Sequence, residues 1–243
     1  SNTATLMAGY AGRIIRAYND LNAPLASPVQ AAIRLWFNPG QSDDKYLGPG
    51  VFVLALSMYP PLLAALAMSK EGERKTILQV YVSNISAHEY VLGNIFAFMV
   101  VGLAECVSLM VLLYTYFGLR FAGDPTPFLV ATLLYLFCVA AFGVMVGVAI
   151  PSQVGAVSAV ALGGFLLVFL LSGLLFPIEN IPAGVRWMSS LVWGTHYIYV
   201  VRDAFLQGAG WPSTWVEILI IAFTGSVFYT LGWRTMRRMQ LKA

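Results

Sequence analysis

Five long apolar stretches, separated by shorter polar segments, dominate the pattern of the chain. Each has 19 to 28 residues, enough for a helix to cross about 30 Å of hydrocarbon. Among the residues of these apolar stretches, the last of which ends at Trp233, only Glu105 and Glu217 are charged. The pattern predicts an all-α polytopic membrane protein with five transmembrane helices. Their predicted bounds are about 50–68, 91–118, 128–150, 154–176 and 215–236.

The polar segments predict how the spans are connected. Residues 1–47 are predicted to be the end of an extracytoplasmic domain, and residues 48–243 the transmembrane domain. Gly48-Pro49-Gly50 is predicted to break the chain before the first span. Pro151-Ser152-Gln153 is predicted to form a tight turn between the third and fourth spans, because proline removes an amide donor. The aromatic-rich residues 177–211 are predicted to form short re-entrant helices on the outer side.

The composition excludes several classes of protein. The chain is 59% hydrophobic and 10% charged, with a mean hydropathy of +0.76, whereas soluble domains are about 45–50% apolar and about 25% charged. A water-soluble globule, a disordered tail and a nucleic-acid-binding module are therefore excluded. Cys106 and Cys138 each lie inside an apolar stretch, and no paired spacing suggests a disulfide framework.

The distribution of basic residues predicts the orientation. Residues 69–90 and 234–243 contain seven Lys and Arg, a threefold higher density than in the opposite loops. Basic loops face the cytoplasm, which predicts a bacterial inner-membrane, multi-pass protein with a cytoplasmic C-terminus and residue 1 on the periplasmic side. Five is an odd number of spans, so we expect at least one further span before residue 1.

The search for enzyme chemistry finds none. The sequence has no GxxxxGK[ST] phosphate loop and no HExxH zinc motif, and His88 and His196 lie far apart. We therefore expect no catalytic residues, no metal site and no cofactor in this chain. Glu217 lies close to an outer span end and is expected to be simply solvated.

The charged segment after the first span leaves two interpretations open. Residues 69–76 are dense in charge and precede apolar residues on one helical face, which predicts an amphipathic helix on the cytoplasmic surface. Ser86 and Glu89 form a predicted capping box at the start of the next span. The surface helix either satisfies only its own loop or docks a cytoplasmic partner.

Three features inside the spans also have two interpretations each. Glu105 lies mid-span, where an ionisable side chain is costly, and is either a substrate or proton site or a group kept protonated or hydrogen-bonded by packing. Tyr59 and Pro60, followed by a second proline, either line a cavity or mark a kink. Phe165 and Phe169, four residues apart, form either an apolar wall of a path or ordinary packing.

Several motifs, in order along nearly the whole chain, resemble the membrane subunit of ABC-2-type exporters, in the drug-efflux permease branch. The motifs are Gly9-Tyr10, Arg34-Leu35-Trp36-Phe37-Asn38-Pro39, Glu73-Arg74-Lys75-Thr76 and Leu171-Ser172-Gly173-Leu174-Leu175-Phe176-Pro177-Ile178-Glu179-Asn180-Ile181-Pro182. The last is the most specific. The family has six spans, so the resemblance also implies that the first span and the front of the extracytoplasmic domain precede residue 1.

The resemblance implies partners and site residues. It implies a homo- or heterodimeric permease in the lipid bilayer, driven by separate ABC ATPase subunits that hold ATP and Mg, with a periplasmic adaptor left open and no nucleic-acid partner. The residues implied for ATPase coupling are Glu73, Arg74, Thr76 and Leu78. Those implied for the translocation path are Tyr59, Pro60, Phe165, Phe169 and Glu105. Those implied for the outer gate are Phe176, Pro177, Glu179 and Asn180.

The predicted function is ATP-driven export of amphipathic or hydrophobic molecules, drug-like or lipid-like, out of the cytoplasm or the inner leaflet. Two other classes remain as alternatives. One is an ATP-independent secondary transporter or channel that uses Glu105 as its ion site. The other is a membrane-embedded enzyme, which would require converging polar residues inside the bilayer.

Overall fold

The structure is a computed structural model that describes residues 10–19, 43–74, 85–174 and 182–240. Within these residues every regular element is helical. The chain divides into two compact units, Ser1–Tyr46 and Leu47–Ala243. In the first unit, residues 10–19 form helix α1. This helix exposes Tyr10, Ile14 and Tyr18, which lie four residues apart.

Helices α2 to α8 follow α1 along the chain. Their bounds are α2 Asp43–Glu73, α3 Ala87–Thr115, α4 Thr126–Ala149, α5 Gln153–Leu171, α6 Ala183–Ser189, α7 Trp193–Arg202 and α8 Trp211–Gln240. Five of them, α2, α3, α4, α5 and α8, are long and apolar enough to cross a membrane. The prediction of a five-span, all-α membrane protein is confirmed.

One predicted boundary is wrong. Gly48-Pro49-Gly50 does not break the chain, since α2 begins at Asp43 and continues through these residues and through Pro60 and Pro61. The two glycines lie against side chains of the bundle, Gly48 against Leu119 and Gly50 against Leu174. Burial of this turn in the bundle favours the helix over the loop that the residue types alone predict.

Helices α3 and α4 begin a few residues before their apolar stretches, and polar side chains hold these starts. The predicted capping box at the start of α3 is confirmed: the Glu89 amide donates to Ser86 Oγ over 3.3 Å, and the Ser86 amide donates to the Glu89 carboxylate over 2.9 Å. At the start of α4, the hydroxyl and amide of Thr126 donate to Asp124, which holds the pKa of that carboxyl below its ordinary value.

Helix α4 lies at the centre of the second unit. In its most apolar stretch 67% of the residues are buried, against 17% to 22% in α3, α5 and α8. Helix α8 packs most extensively against it, and α3 and α7 also contact both α4 and α8. The exposed faces of the outer helices are apolar, as expected where lipid or another membrane chain covers them.

The contact between α2 and α4 depends on two glycines in a Gly-x-x-x-Gly pattern. A Cβ added to Gly147 would lie 2.6 Å from the Ala65 carbonyl oxygen, and one added to Gly143 would overlap the backbone of Pro61. Such small residues let two helix backbones approach closely in a membrane. Pro61 of α2 thus packs directly beside the most buried helix.

We expect Gly143→Ala and Gly147→Ala each to lower the free energy of unfolding by on the order of 1–3 kcal/mol, because the new methyl group meets backbone atoms that cannot rotate away. Unfolding in detergent micelles, followed by circular dichroism, measures the change. Gly93→Ala is the matched control, since no atom lies within 4 Å of a Cβ at that helical position. Equal stability of all three variants would contradict the proposed close approach.

Candidate functional site

A hydrogen-bonded corner joins the end of α2 to the start of α5. The Glu73 carboxylate accepts the backbone N–H of Gln153 over 2.8 Å and its side-chain amide over 2.5 Å. Ser152 caps the same helix start, because its hydroxyl accepts the Gly155 amide over 3.4 Å. The first amides of a helix have no partner inside the helix, so a carboxylate placed there is stabilising.

A second set of contacts brings α2, α3 and α8 together at the same end. The Tyr90 hydroxyl donates to the Glu71 carboxylate, and the Asn94 amide donates to the Tyr90 carbonyl over 2.9 Å. The His88 ring lies edge-on to Tyr229 and Trp233. We call this region the basic end, since it carries the following residues: Lys70, Arg74, Arg234, Arg237 and Arg238.

The structure describes half of the predicted coupling residues. Arg74 is exposed just after α2, and its backbone amide donates to the Lys70 carbonyl over 3.0 Å. Glu73 is exposed as well but contacts Gln153. Thr76 and Leu78 lie outside the described residues. Glu73 therefore joins the predicted coupling segment to a second span, which sequence reasoning did not anticipate.

We expect Glu73→Ala to raise hydrogen exchange at the Gln153 amide, because that amide loses its acceptor. Exchange followed by mass spectrometry on the purified protein measures the effect. Lys70→Ala is the control, since it removes an exposed side chain one turn earlier and leaves the corner intact. Unchanged exchange at Gln153 in the Glu73 variant would show that the corner does not form in solution.

A buried polar network links α2, α4 and α7 in the middle of the bundle. The Tyr135 hydroxyl lies 2.5 Å from Ser57 Oγ, and the Tyr197 hydroxyl lies 2.8 Å from Thr132 Oγ1. The two tyrosine rings stack with centroids 3.9 Å apart. All four side chains are buried, so each hydrogen bond replaces one that water would otherwise supply. The sequence pattern alone did not reveal this network.

We expect Tyr135→Phe and Tyr197→Phe each to reduce the free energy of unfolding by roughly 0.5–1.5 kcal/mol, the usual net contribution of one buried hydrogen bond. The double variant tests coupling, since stacked rings in one network need not act additively. Tyr116→Phe, at an exposed position, is the control. Thermal unfolding in detergent measures all four, and a loss no larger than in the control would rule out a stabilising role.

The residues predicted for the translocation path lie on three helices. Pro60 is buried, and its Cγ would lie 3.3 Å from a Cβ added at Gly102 of α3. Tyr59 is 54% exposed. Glu105 is half-buried on α3, and no described side chain or backbone group hydrogen-bonds to it. The structure thus places Pro60 against the bundle and Tyr59 on its surface.

Helix α5 carries the two predicted phenylalanines and an irregular turn. Phe165 and Phe169 stack nearly parallel, with centroids 5.9 Å apart. Residues Ala161–Leu166 form a π-helical segment, a geometry that is frequent at functional sites. One face of α5 is buried against the bundle, and the opposite face exposes apolar side chains. The exposed residues include Val154, Leu162, Leu166 and Leu170.

The other end of the bundle, where residues 116–125 and 182–214 lie, is rich in aromatic residues, and we call it the aromatic end. Helices α6 and α7 occupy this end, and α7 continues as a π-helical turn, Asp203–Gln207. The Asp203 carboxylate accepts the Gly210 and Ala209 amides over 2.8 and 3.2 Å. These bonds hold the turn into α8, in which Gly208 and Gly210 have positive φ. The four predicted gate residues lie outside the described residues: Phe176, Pro177, Glu179 and Asn180.

A cavity of about 530 Å³ opens at the aromatic end. Its wall includes a pair formed by His196 and Glu217, in which the imidazole Nδ1 contacts the carboxylate. The imidazole Nε2 lies 2.8 Å from the Ser190 carbonyl oxygen. The expectation that Glu217 is simply solvated is therefore wrong. The two residues lie 21 positions apart on different helices, so only the fold reveals the pair.

Residues 1–234 match the family model described as ABC-2 family transporter protein. The chain belongs to this family. It is 23% identical to the probable multidrug ABC transporter permease YbhR of Escherichia coli K12, over 95% of this chain and 64% of the relative. It is 22% identical to the probable multidrug ABC transporter permease YbhS of the same strain, over 98% of this chain and 65% of the relative.

A third relative is the inner membrane transport permease YhhJ of Escherichia coli K12, 24% identical over 95% of this chain and 61% of the relative. The ABC-2 chain described here thus spans less than two thirds of the length of these relatives. The family match and the five candidate spans together identify a multi-pass membrane protein of the ABC permease type.

Proposed function

We propose that this chain is the transmembrane permease of an ABC exporter, moving amphipathic or hydrophobic molecules, drug-like or lipid-like, out of the cytoplasm or inner leaflet. The single observation that carries the proposal is the match of residues 1–234 to the ABC-2 family. Two relatives named as probable multidrug permeases support the choice of cargo. The exposed apolar faces of α3, α5 and α8 suit a protein that works inside the bilayer.

The proposed orientation puts the basic end in the cytoplasm and the residue 1 side in the periplasm. Its support is the concentration of Lys and Arg at one end of the bundle, because cytoplasmic loops carry the excess of basic residues. The relative named as an inner membrane permease supports the bacterial inner membrane as the location.

ATP hydrolysis is proposed to occur on a separate ABC ATPase that docks at the basic end and holds ATP and Mg. Docking would involve Glu73, Arg74, Thr76 and Leu78. Nucleotide drives export only if the ATPase binds two permease states with different affinities. The corner between Glu73 and Gln153 gives such docking a direct connection to α5, the helix with the stacked phenylalanines.

The proposed path lies between two permease copies, identical or paralogous. Tyr59, Phe165 and Phe169 would line it, since none of the three is fully buried, while Pro60 would shape α2 behind them. The gate would be formed by the segment that contains Phe176, Pro177, Glu179 and Asn180.

The test is transport by proteoliposomes that contain the full-length permease and its ATPase partner. With a fluorescent amphipathic cargo, we expect export to require ATP and to stop when the ATPase carries a nucleotide-dead substitution. Transport that continues at the same rate with the dead ATPase would overturn the proposal. If that residual transport were lost in Glu105→Gln, the half-buried Glu105 would support a secondary transporter instead.

Coupling is tested by charge reversal at the exposed end of α2. We expect Arg74→Glu to abolish export while basal ATP hydrolysis by the complex persists, because docking loses a charge contact but insertion is unaffected. We expect Glu73→Gln to reduce export less than Arg74→Glu does, since the glutamine side-chain oxygen can still accept the Gln153 backbone N–H. Arg120→Glu, at an exposed position of the aromatic end, is the control for a charge reversal away from the docking surface, and wild-type export by Arg74→Glu would remove the proposed docking role.

A further inference from the structure

One exposed face of α8 carries an apolar stripe that leads into two arginines. Phe223, Val227 and Leu231 lie four residues apart and are 72%, 38% and 45% exposed. Arg234 and Arg238 are also exposed and follow at spacings of three and four residues. Residues three and four apart are neighbours on one side of a helix, so these five side chains form one continuous surface. We call it the α8 surface.

Two tryptophans mark the level of the α8 surface in the bilayer. Trp215 is 54% exposed and Trp233 is half-buried. The 18 residues from one to the other correspond to about 27 Å along a helix axis, close to the roughly 30 Å of hydrocarbon in a bilayer. Tryptophan is enriched at both membrane–water interfaces. Trp233 therefore marks one interface, and Arg234 and Arg238 lie at the level of the lipid headgroups.

The apolar part of the α8 surface has the length of one lipid leaflet. From Phe223 to Arg234 the helix rises about 16 Å, roughly half of the hydrocarbon thickness. The opposite side of α8 is buried in the bundle, where Ile221 and Met236 are both 0% exposed. A water-soluble partner does not reach Phe223 at that depth. An acyl chain does, so the occupant that fits the whole surface is a lipid.

The charge at the basic end favours an anionic headgroup. The three described carboxylates of this end accept hydrogen bonds from other groups, as follows: Glu71 from Tyr90, Glu73 from Gln153 and Glu89 from Ser86. Arg237 lies over the Trp233 ring, 5.8 Å from its centroid. Within the described part of the chain, no carboxylate forms an ion pair with Arg234 or Arg238. Guanidinium groups one helical turn apart are suited to bind a phosphate between them.

We propose that the α8 surface binds an anionic phospholipid. Its phosphate contacts Arg234 and Arg238, and one acyl chain lies along Phe223, Val227 and Leu231. A zwitterionic lipid carries the same phosphate, but its ammonium group offsets the charge, so the two arginines favour a headgroup with net negative charge. Basic clusters at the end of a membrane helix recognise anionic lipids in this way. Lipid binding here does not depend on the proposed export or on the orientation of the chain.

Native mass spectrometry of the full-length permease, released from detergent, tests the lipid site. The probes are phosphatidylglycerol and phosphatidylethanolamine with the same acyl chains. Glycerophosphoglycerol, the headgroup without acyl chains, is the competitor. We expect the first phosphatidylglycerol to bind at least about tenfold more tightly than the first phosphatidylethanolamine, because each basic residue near the headgroups contributes about fivefold. Equal binding of the two lipids, or displacement of phosphatidylglycerol by millimolar glycerophosphoglycerol, would overturn the proposal.

Variants locate the site on α8. We expect Arg234→Gln and Arg238→Gln each to raise the Kd of phosphatidylglycerol about fivefold and to leave that of phosphatidylethanolamine nearly unchanged. Both positions are exposed, and glutamine favours a helix about as well as arginine, so the fold is retained. Lys70→Gln is the matched control, since it removes one exposed charge from the same end but on α2. A double arginine variant that keeps the wild-type ratio of the two Kd values contradicts the proposal, as does an equal change in Lys70→Gln.

The same double variant separates a lipid from a protein partner. The α8 surface lies at the end where the ATPase is proposed to dock, and docking there is assigned to other residues. We expect the variant with both Arg234→Gln and Arg238→Gln to bind the purified ATPase with wild-type affinity in detergent without added lipid. Weakened ATPase binding together with an unchanged lipid preference would assign the surface to the protein and overturn the lipid site.

Discussion

The backbone contact between α2 and α4 is the constraint on which the rest of the bundle depends. Gly143 and Gly147 let α4 lie against Pro61 and Ala65 with no side chain between them. Lipid tails are as apolar as leucine, so helices in a membrane associate through close packing and hydrogen bonds rather than through burial from water. Once α4 is held there, its other faces provide the surfaces on which α3, α7 and α8 pack.

The two ends of the bundle use polar groups differently. At the basic end, exposed carboxylates connect helix ends, as Glu73 does with Gln153. At the aromatic end, buried polar groups surround a cavity that Ser189 and His196 help to form. The proposed docking follows this difference, because exposed charge suits the binding of a soluble partner.

The five spans could be predicted because the bilayer demands about 20 apolar residues for each crossing. The capping box at Ser86 could be predicted too, since its residues are three positions apart. The side-chain pairs between residues far apart in the sequence could not be predicted. Ser57 and Tyr135 are 78 positions apart, and Glu217 meets His196 only because α7 and α8 pack together. Gly143 and Gly147 did carry a readable signal, the small-x-x-x-small spacing, within the third apolar stretch.

The direction of the hydrogen bonds in the central network has one more consequence. Ser57 donates its only hydroxyl proton to the Val53 carbonyl, and Thr132 donates its own to the Phe128 carbonyl. Tyr135 and Tyr197 must therefore be the donors to these hydroxyls. Both short chains end at peptide oxygens, which do not pass a proton on. The network therefore cannot conduct a proton, and a proton that crosses the bilayer would need another route.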